Sequence, residues 1–444
     1  MSVVNVWHGA MTSNGFRVVA KVTGAAAVLV VGTTADLASP VFRSATHQAA
    51  LDVVDVTVDG LQSDTAYYYG LEVDGDLDSA HIGRTHTFPE AGSPASFSFI
   101  ASGCGGSFSE TASWPSGLSK VSNSTVFEVI ANKRPLLFVH LGDLHYRDAQ
   151  VNDPLIFRHS FDSVLAAPLQ AALYRDTPLA YMWDDHDYGT NDSNKTAPSR
   201  PAAIQVYRER VPSYPLNHAE GVWQTFVVGR VRFVMTDLRS MADPYADPDG
   251  PTKSLTGPEQ EAWLLDVLGS ATEELLVWVS TIGYGRDFGP NAWDGYPTQR
   301  NRLASWFQDH PDVVRRLVVL SSDWHGTGFD DGRNNRWGGF PIFQCGPLDS
   351  FPSANTNPVF SHGSSLARGQ YGLFAVEDTG SDIALRATAY RDDVALFDYG
   401  FTVQRATPRL VQTESVKAGI DGDVDVHVNY RGTHYDDVTV RIST

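Results

Sequence analysis

Four short apolar runs in this chain each end on side chains that bind metals or move protons. That repetition constrains the fold more than any other feature. Leu179-Ala180-Tyr181-Met182 runs into Trp183-Asp184-Asp185-His186-Asp187. Phe97-Ser98-Phe99-Ile100-Ala101 leads to Ser102-Gly103-Cys104, and Leu136-Leu137-Phe138-Val139 leads to His140-Leu141-Gly142-Asp143-Leu144-His145-Tyr146. Leu317-Val318-Val319-Leu320 leads to Ser321-Ser322-Asp323-Trp324-His325. Runs of this length read as buried strands. Charged groups crowded at a strand's end repel one another unless a cation or a substrate compensates them. Strand ends in open α/β sheets are also where ligands bind. One such segment is as readily a loop as a site. Four of them, each offering Asp, His, Cys or Tyr, point to a metal or catalytic centre.

The chain of 444 residues is long for one domain and comfortable for two. Its 42% hydrophobic and 19% charged residues allow a large core without disulfides. The net charge of −19 argues against a nucleic-acid or anionic-membrane binding surface, which has to be basic. The oligomeric state is left open. Of the two cysteines, Cys104 lies in a candidate site segment and Cys345 reads as a packed core thiol. No stretch is apolar enough for a transmembrane helix. Met1 to Trp7 lacks a basic or long apolar leader, so a cytoplasmic protein is expected, or a periplasmic or secreted one if a leader has been removed.

Residues 1–92 read as a small β-sandwich, with strands at Phe16–Val22 and Val53–Val58 and hairpin signals at Asp59-Gly60 and Asp74-Gly75. Gly60 to Tyr69 resembles the strand-joining corner of fibronectin type III sandwiches. From about 93 to 405, strands alternate with helices, giving a layered α/β fold. Helical spacing covers Asn123–Lys133 and Pro154–Arg175. Thr256-Gly257-Pro258-Glu259 reads as a capping box opening another helix. Trp223–Val228 and Val231–Thr236 read as a hairpin, and strands return at Tyr371–Val376, Ile383–Ala389 and Val394–Val403. Residues 406–444 are expected to form a C-terminal β extension closed by Val424–Val428 and Val438–Ile442.

Taken in order, Ala101-Ser102-Gly103-Cys104, Leu141-Gly142-Asp143-Leu144-His145-Tyr146, Trp183-Asp184-Asp185-His186-Asp187 and Ser322-Asp323-Trp324-His325 resemble the four motifs of the PhoD-like alkaline phosphatase/phosphodiesterase branch of the metallophosphoesterase superfamily. Ala292-Trp293-Asp294-Gly295-Tyr296-Pro297 also looks like that family. The resemblance implies a four-layer fold, two mixed β-sheets flanked by helices, preceded by a fibronectin-III-like sandwich. It implies metal-dependent hydrolysis of phosphate esters by a metal-bound water or hydroxide, as an alkaline phosphatase or a phosphodiesterase. Purple acid phosphatases join a sandwich to a similar fold, but their third motif is Gly-Asn-His-Glu.

Two cations about 3.5–4 Å apart both neutralise a transferring phosphoryl group and activate water. Within that likeness Asp143 is the candidate bridge. Cys104, Tyr146 and His325 suit Fe3+, while Asp185 and Asp323 suit Ca2+, with Zn2+, Mn2+ or Mg2+ as alternatives at the second position. His186 would face the substrate as an acid, oriented by Asp187 or Asp184. Asp184 and Arg147 are further candidates for substrate contact, as is Arg286. Three departures stand out. Ser102 and Cys104 replace an Asp-x-His, Ser322 stands where relatives carry Gly, and Asp187 replaces Glu. His140 reads as strand packing, and His145 remains open between packing and support of the site. Asn191-Asp192-Ser193 reads as a turn. Rivals are a phospholipase D-like phosphodiesterase and a metal-bearing binding protein without catalysis; the substrate-facing His186 argues against the latter.

Overall fold

In a computed structural model, residues 1–106, 121–216, 218–285 and 287–403 are described, together with two short strands, Lys417–Ala418 and Val424–Asp425. Arg286 and most of the expected C-terminal extension lie outside the described residues. Two compact units divide at 403/404, and the second contains the antiparallel pair Lys417–Ala418 and Val424–Asp425.

Two mixed sheets make the centre of the first unit. The larger has nine strands in the order Val394–Val403, Ile383–Arg391, Gln370–Asp378, Phe97–Ser102, Leu137–His140, Leu179–Tyr181, Val3–Gly9, Phe16–Val22 and Val53–Val58. The other has seven, in the order Gln224–Val228, Val231–Thr236, Leu275–Ser280, Leu317–Ser321, Ile342–Gln344, Thr327–Asp330 and Ser364–Ser365. Phe99 of the first sheet lies edge-on to Phe233 of the second, with ring centroids 5.2 Å apart, and stacks on Phe374. The sheets therefore pack face to face.

The seven-stranded sheet is buried on both faces, as its near-continuous apolar strands require. Val277 and Val279 turn into the core shared with the nine-stranded sheet. Leu276 and Trp278 alternate onto the other face, among Leu264, Leu268, Leu303 and Phe307 of the helices Pro258–Ser270 and Pro297–Asp309. The helices Val126–Lys133, Pro154–Ala166 and Pro168–Asp176 contribute Ile130, Phe161 and Leu173 to the first core.

Local chemistry corrects two expectations. The helical stretch from Pro154 is two helices, because Pro168 holds Ala167 extended at ψ 115°. The expected capping box does not form. Gly257 is the N-cap, at φ 72°, and carries no side chain to cap with, while the Thr256 hydroxyl donates to Gly257 O and accepts from Gln299.

The N-terminal strands belong to one compact unit with the rest of residues 1–403. Val3–Gly9 lies beside Leu179–Tyr181 in parallel, so three N-terminal strands extend the nine-stranded sheet. Ala26–Gly32, Ala66–Val73 and their neighbours form a separate six-stranded sheet over them. Trp7 is fully buried and its indole N–H donates to Arg210 O at 2.9 Å. No helix among the described residues is long and apolar enough to cross a membrane. Trp7→Ala should destabilise the protein by about 3–5 kcal/mol in denaturant unfolding, as for other buried large-to-small changes. A loss near zero would mean that these strands are not part of the common core.

Candidate metal centre

Strand direction brings the four motifs together. Phe97–Ser102, Leu137–His140 and Leu179–Tyr181 run parallel, so their C-terminal ends share one edge. Val231–Thr236, Leu275–Ser280 and Leu317–Ser321 do the same in the second sheet. Just past these ends the backbone turns sharply. Cys104, Asp143, Asp323 and His325 all take left-handed conformations, with φ between 46° and 57°. Gly142 (φ 94°) makes the closest approach possible: a Cβ there would lie 2.4 Å from Asp184 Cβ.

Among the described residues three groups of metal-ligand atoms result, each with its donors within 4.8 Å of one another: Cys104, Asp143 and His325; Asp143, Asp185 and His186; and Asp184, Asp185 and Asp323. Asp143 is common to the first two groups. The Tyr146 hydroxyl donates to Asp143 Oδ2 at 2.9 Å and lies 3.1 Å from His325 Nε2. It thereby joins the Cys104 group, where the sequence places it. Cys104, Asp143, Tyr146, Asp184, Asp185 and Asp187 are buried. His186, Asp323 and His325 keep 15%, 21% and 21% of their side chains exposed. The cluster has a closed floor and an open rim.

This much buried negative charge cannot persist uncompensated. Burial, against the pull of Arg239, pushes Asp323 up to about 7, with Asp185 and Asp143 adding to the shift. Burial and the charge of Asp143 raise Asp187 to about 8. Asp184, buried beside the other carboxylates, is also raised despite Arg239. Asp185 goes the other way, to about 2: burial alone would raise it, but Arg239, His186 and two backbone amides outweigh burial. Cys104 and Tyr146 are raised, first by burial and then by Asp143. Divalent or trivalent cations would remove the need for protons here. The residues present fit them: a thiol, a phenol, carboxylates and imidazoles converge, and the buried Asp184 Oδ2 has no hydrogen-bond partner.

Two residues at this centre were not found in the sequence. Arg239 follows the strand Val231–Thr236 and is almost completely buried. Its guanidinium bonds Asp184, donates to Asp323 at 3.1 Å and lies 3.6 Å from Asp185. A fifth apolar run ending in Asp237-Leu238-Arg239 was the available signal. Asp148 is the second. Its carboxylate meets His186 Nδ1 at 2.5 Å, the place expected for Asp187 or Asp184. Both of those side chains are engaged elsewhere. Asp187 accepts from the backbone N–H of His145 and of Asp184, at 3.0 and 3.1 Å, and closes a capping box with Asp184.

The remaining candidates sit around this centre. Asp192 donates its backbone N–H to Asp185 at 2.6 Å, a turn role that fixes a carboxylate. His145 is buried edge-on to Phe161, and His140 is packed among Phe138, Tyr174 and Tyr181. Burial lowers both imidazoles to about 3, so they are neutral. Arg147 is half-buried beside Tyr146. Cys345 is a buried free thiol.

A model of the PhoD-like phosphatase family matches residues 110–348. The chain belongs to the PhoD-like phosphatase family. Alkaline phosphatase D of Bacillus subtilis (strain 168) is 26% identical over 325 residues, which is 62% of this chain and 53% of that protein. The chain thus spans about half the length of this curated relative. A solved structure of PhoD matches with a TM-score of 0.72 over 90% of both chains, at 20% identity. The purple acid phosphatase PPD1 of yellow lupin (Lupinus luteus) matches with a TM-score of 0.61 over 90% of this chain and 73% of its own, at 14% identity. At these identities the two structural matches show a common fold.

His186 is held by Asp148 in a way that a titration can read. Burial alone would lower the imidazole, but Asp185, Asp143 and Asp148 outweigh it and raise it to about 10. In metal-free protein, Asp148→Asn removes one of these carboxylates and should lower the His186 pKa, read by NMR of the ring protons. An unchanged value would show that Asp148 does not govern this imidazole.

Proposed function

We propose that the chain is a metal-dependent phosphoesterase that cleaves small phosphomonoesters or phosphodiesters, with alkaline phosphatase activity the first expectation. Membership of the PhoD-like phosphatase family supports this reading, as does the name of its relative from Bacillus subtilis. The observation that carries it is the asymmetry of the site. Its donors are buried on one side, while His186, Asp323 and His325 reach the surface on the other. A purely structural metal site is closed.

In this reading Cys104, Asp143, Tyr146 and His325 hold one cation, with Fe3+ favoured by the thiolate and phenolate. Asp143, Asp185 and Asp323 hold a second, harder one, Ca2+ or alternatively Zn2+, Mn2+ or Mg2+. When bound, the cations supply Lewis acidity and an oxygen nucleophile near neutral pH. The protein's own residues do the rest. Asp143 stands between the two groups and fixes their separation. Arg239 ties Asp184 and Asp323 into one orientation and balances part of their charge. His186, engaged by Asp148 through Nδ1, keeps Nε2 for proton donation to the leaving oxygen. Of the carboxylates that favour the protonated imidazole, Asp148 is the one not assigned to a cation, so it still supports His186 as an acid once metal is bound. Asp187 keeps a supporting part, since its two backbone hydrogen bonds brace the turn that carries His186. Asp184 and Arg147 stand as substrate contacts at lower weight.

Residues 93–405 carry this chemistry in the proposal, and residues 406–444 form an extension. A fibronectin-III-like character for residues 1–92 is supported by Tyr67, whose hydroxyl accepts from Gln62 N–H at 3.1 Å across a strand corner.

Protein stripped of metal by a chelator should lose hydrolysis of a panel of phosphomonoesters and phosphodiesters, and regain it on reloading. Asp143→Ala should lose both metal content and turnover. His186→Ala should keep both metals, yet turn over roughly 10²–10⁴-fold more slowly. If His186→Ala empties the site by elemental analysis, His186 is a ligand. If stripped protein stays fully active, metal-dependent hydrolysis is excluded.

A further inference from the structure

Ser322 stands directly before the Asp323-Trp324-His325 turn and is fully buried. Ser322 Oγ lies 3.3 Å from Cys104 Sγ, across a sequence separation of 218 residues. The space around that oxygen is fitted to it. A Cβ at Gly103 would come within 2.8 Å of Ser322 Oγ, and one at Gly346 within 2.7 Å. Two glycines from different strand ends thus leave room for one hydroxyl. The backbone of Ser322 is fixed as well. Its N–H donates to Thr281 O at 2.8 Å, and its carbonyl accepts from Gln344 Nε2 at 2.5 Å. Cys104 is held equally firmly, with its N–H donating to Gly142 O at 3.0 Å.

A protonated thiol and a hydroxyl can donate to each other in either direction. A thiolate can only accept. Once Cys104 is a metal ligand, the hydrogen in this contact must come from Ser322. A hydrogen bond to a ligating sulfur draws charge from it, weakens its donation to the metal and raises the energy of sulfur-to-metal charge transfer. Groups behind a ligand tune metal centres in this way.

We propose that Ser322 is a positioning residue that donates a hydrogen bond to the Cys104 sulfur and sets how strongly that sulfur donates to the cation held with Asp143 and His325. This rests on the reading of Cys104 as a metal ligand. It also gives the Ser at this position of the fourth motif a part that does not touch substrate.

The test uses full-length, metal-free protein titrated with Co2+, whose bond to a thiolate absorbs in the near ultraviolet. Wild-type protein should develop that band, and C104S should not. S322A should keep the band at the same intensity per bound cobalt but move it to longer wavelength, since the sulfur becomes the stronger donor. S322G also lacks the hydroxyl and should shift the band the same way, which covers the case of an S322A protein that does not fold. Melting curves confirm which variants are folded. A band at the wild-type position in a folded Ser322 variant would overturn the proposal. A wild-type band that is missing, or that survives in C104S, would instead overturn the assignment of Cys104 as a ligand.

Discussion

The Arg239 guanidinium, packed against Asp184, Asp185 and Asp323, is the interaction on which the centre depends. Burying a carboxylate without a partner costs several kcal/mol, and like charges in one place cost more. This protein places Asp143, Asp184, Asp185, Asp187 and Asp323 around one point. One guanidinium offsets part of that charge. Protons on the raised carboxyls offset more in the absence of metal. The remainder is a standing demand for cations, and it makes the arrangement a metal site before any particular ion is considered.

Such a cluster survives because the scaffold over-determines it. Each ligand-bearing turn leaves a strand whose neighbours are buried, and the first residues beyond are tied back by backbone hydrogen bonds. Leu141 N–H donates to Ser102 O and Gly105 N–H to Asp143 O, both at 2.8 Å. Left-handed backbone at Cys104, Asp143, Asp323 and His325 is strain of the kind found at functional sites, where it costs of order 1–3 kcal/mol per residue. The two large cores on either side of the seven-stranded sheet hold that strain in place. At the rim, packing loosens, and the partly exposed imidazoles of His186 and His325 gain access to solvent.

The strand-end positions of the four motifs were legible in the sequence because apolar runs that end in carboxylates, imidazoles or a thiol four times over do not arise from ordinary loops. Parallel pairing then does what no local pattern states, bringing Cys104 beside Asp143, and the face-to-face packing of the two sheets adds His325 from a third segment. Arg239 was missed because a single arginine after a strand carries no charge pattern of its own. Asp148 was missed because its role depends on a left-handed turn (φ 54°) that no motif announces. The N-terminal segments were legible as strands. Its edge pairing of Gly9 with Leu179 was not, because sheet continuation depends on which edge is left open and not on composition. Pro168 was the signal that should have divided one helix into two, and Gly257, by taking the N-cap position itself, leaves Thr256 outside the cap of the next.

The central claim is that Asp143 sits between two cations. Anomalous diffraction from crystals of the metal-loaded protein tests it most directly. Two anomalous peaks about 3.5–4 Å apart are expected, both within ligand distance of Asp143, one reached also by Cys104 and the other by Asp185 and Asp323. A loaded, active protein with no peak beside Asp143, or with one peak that Asp143 does not touch, would contradict it.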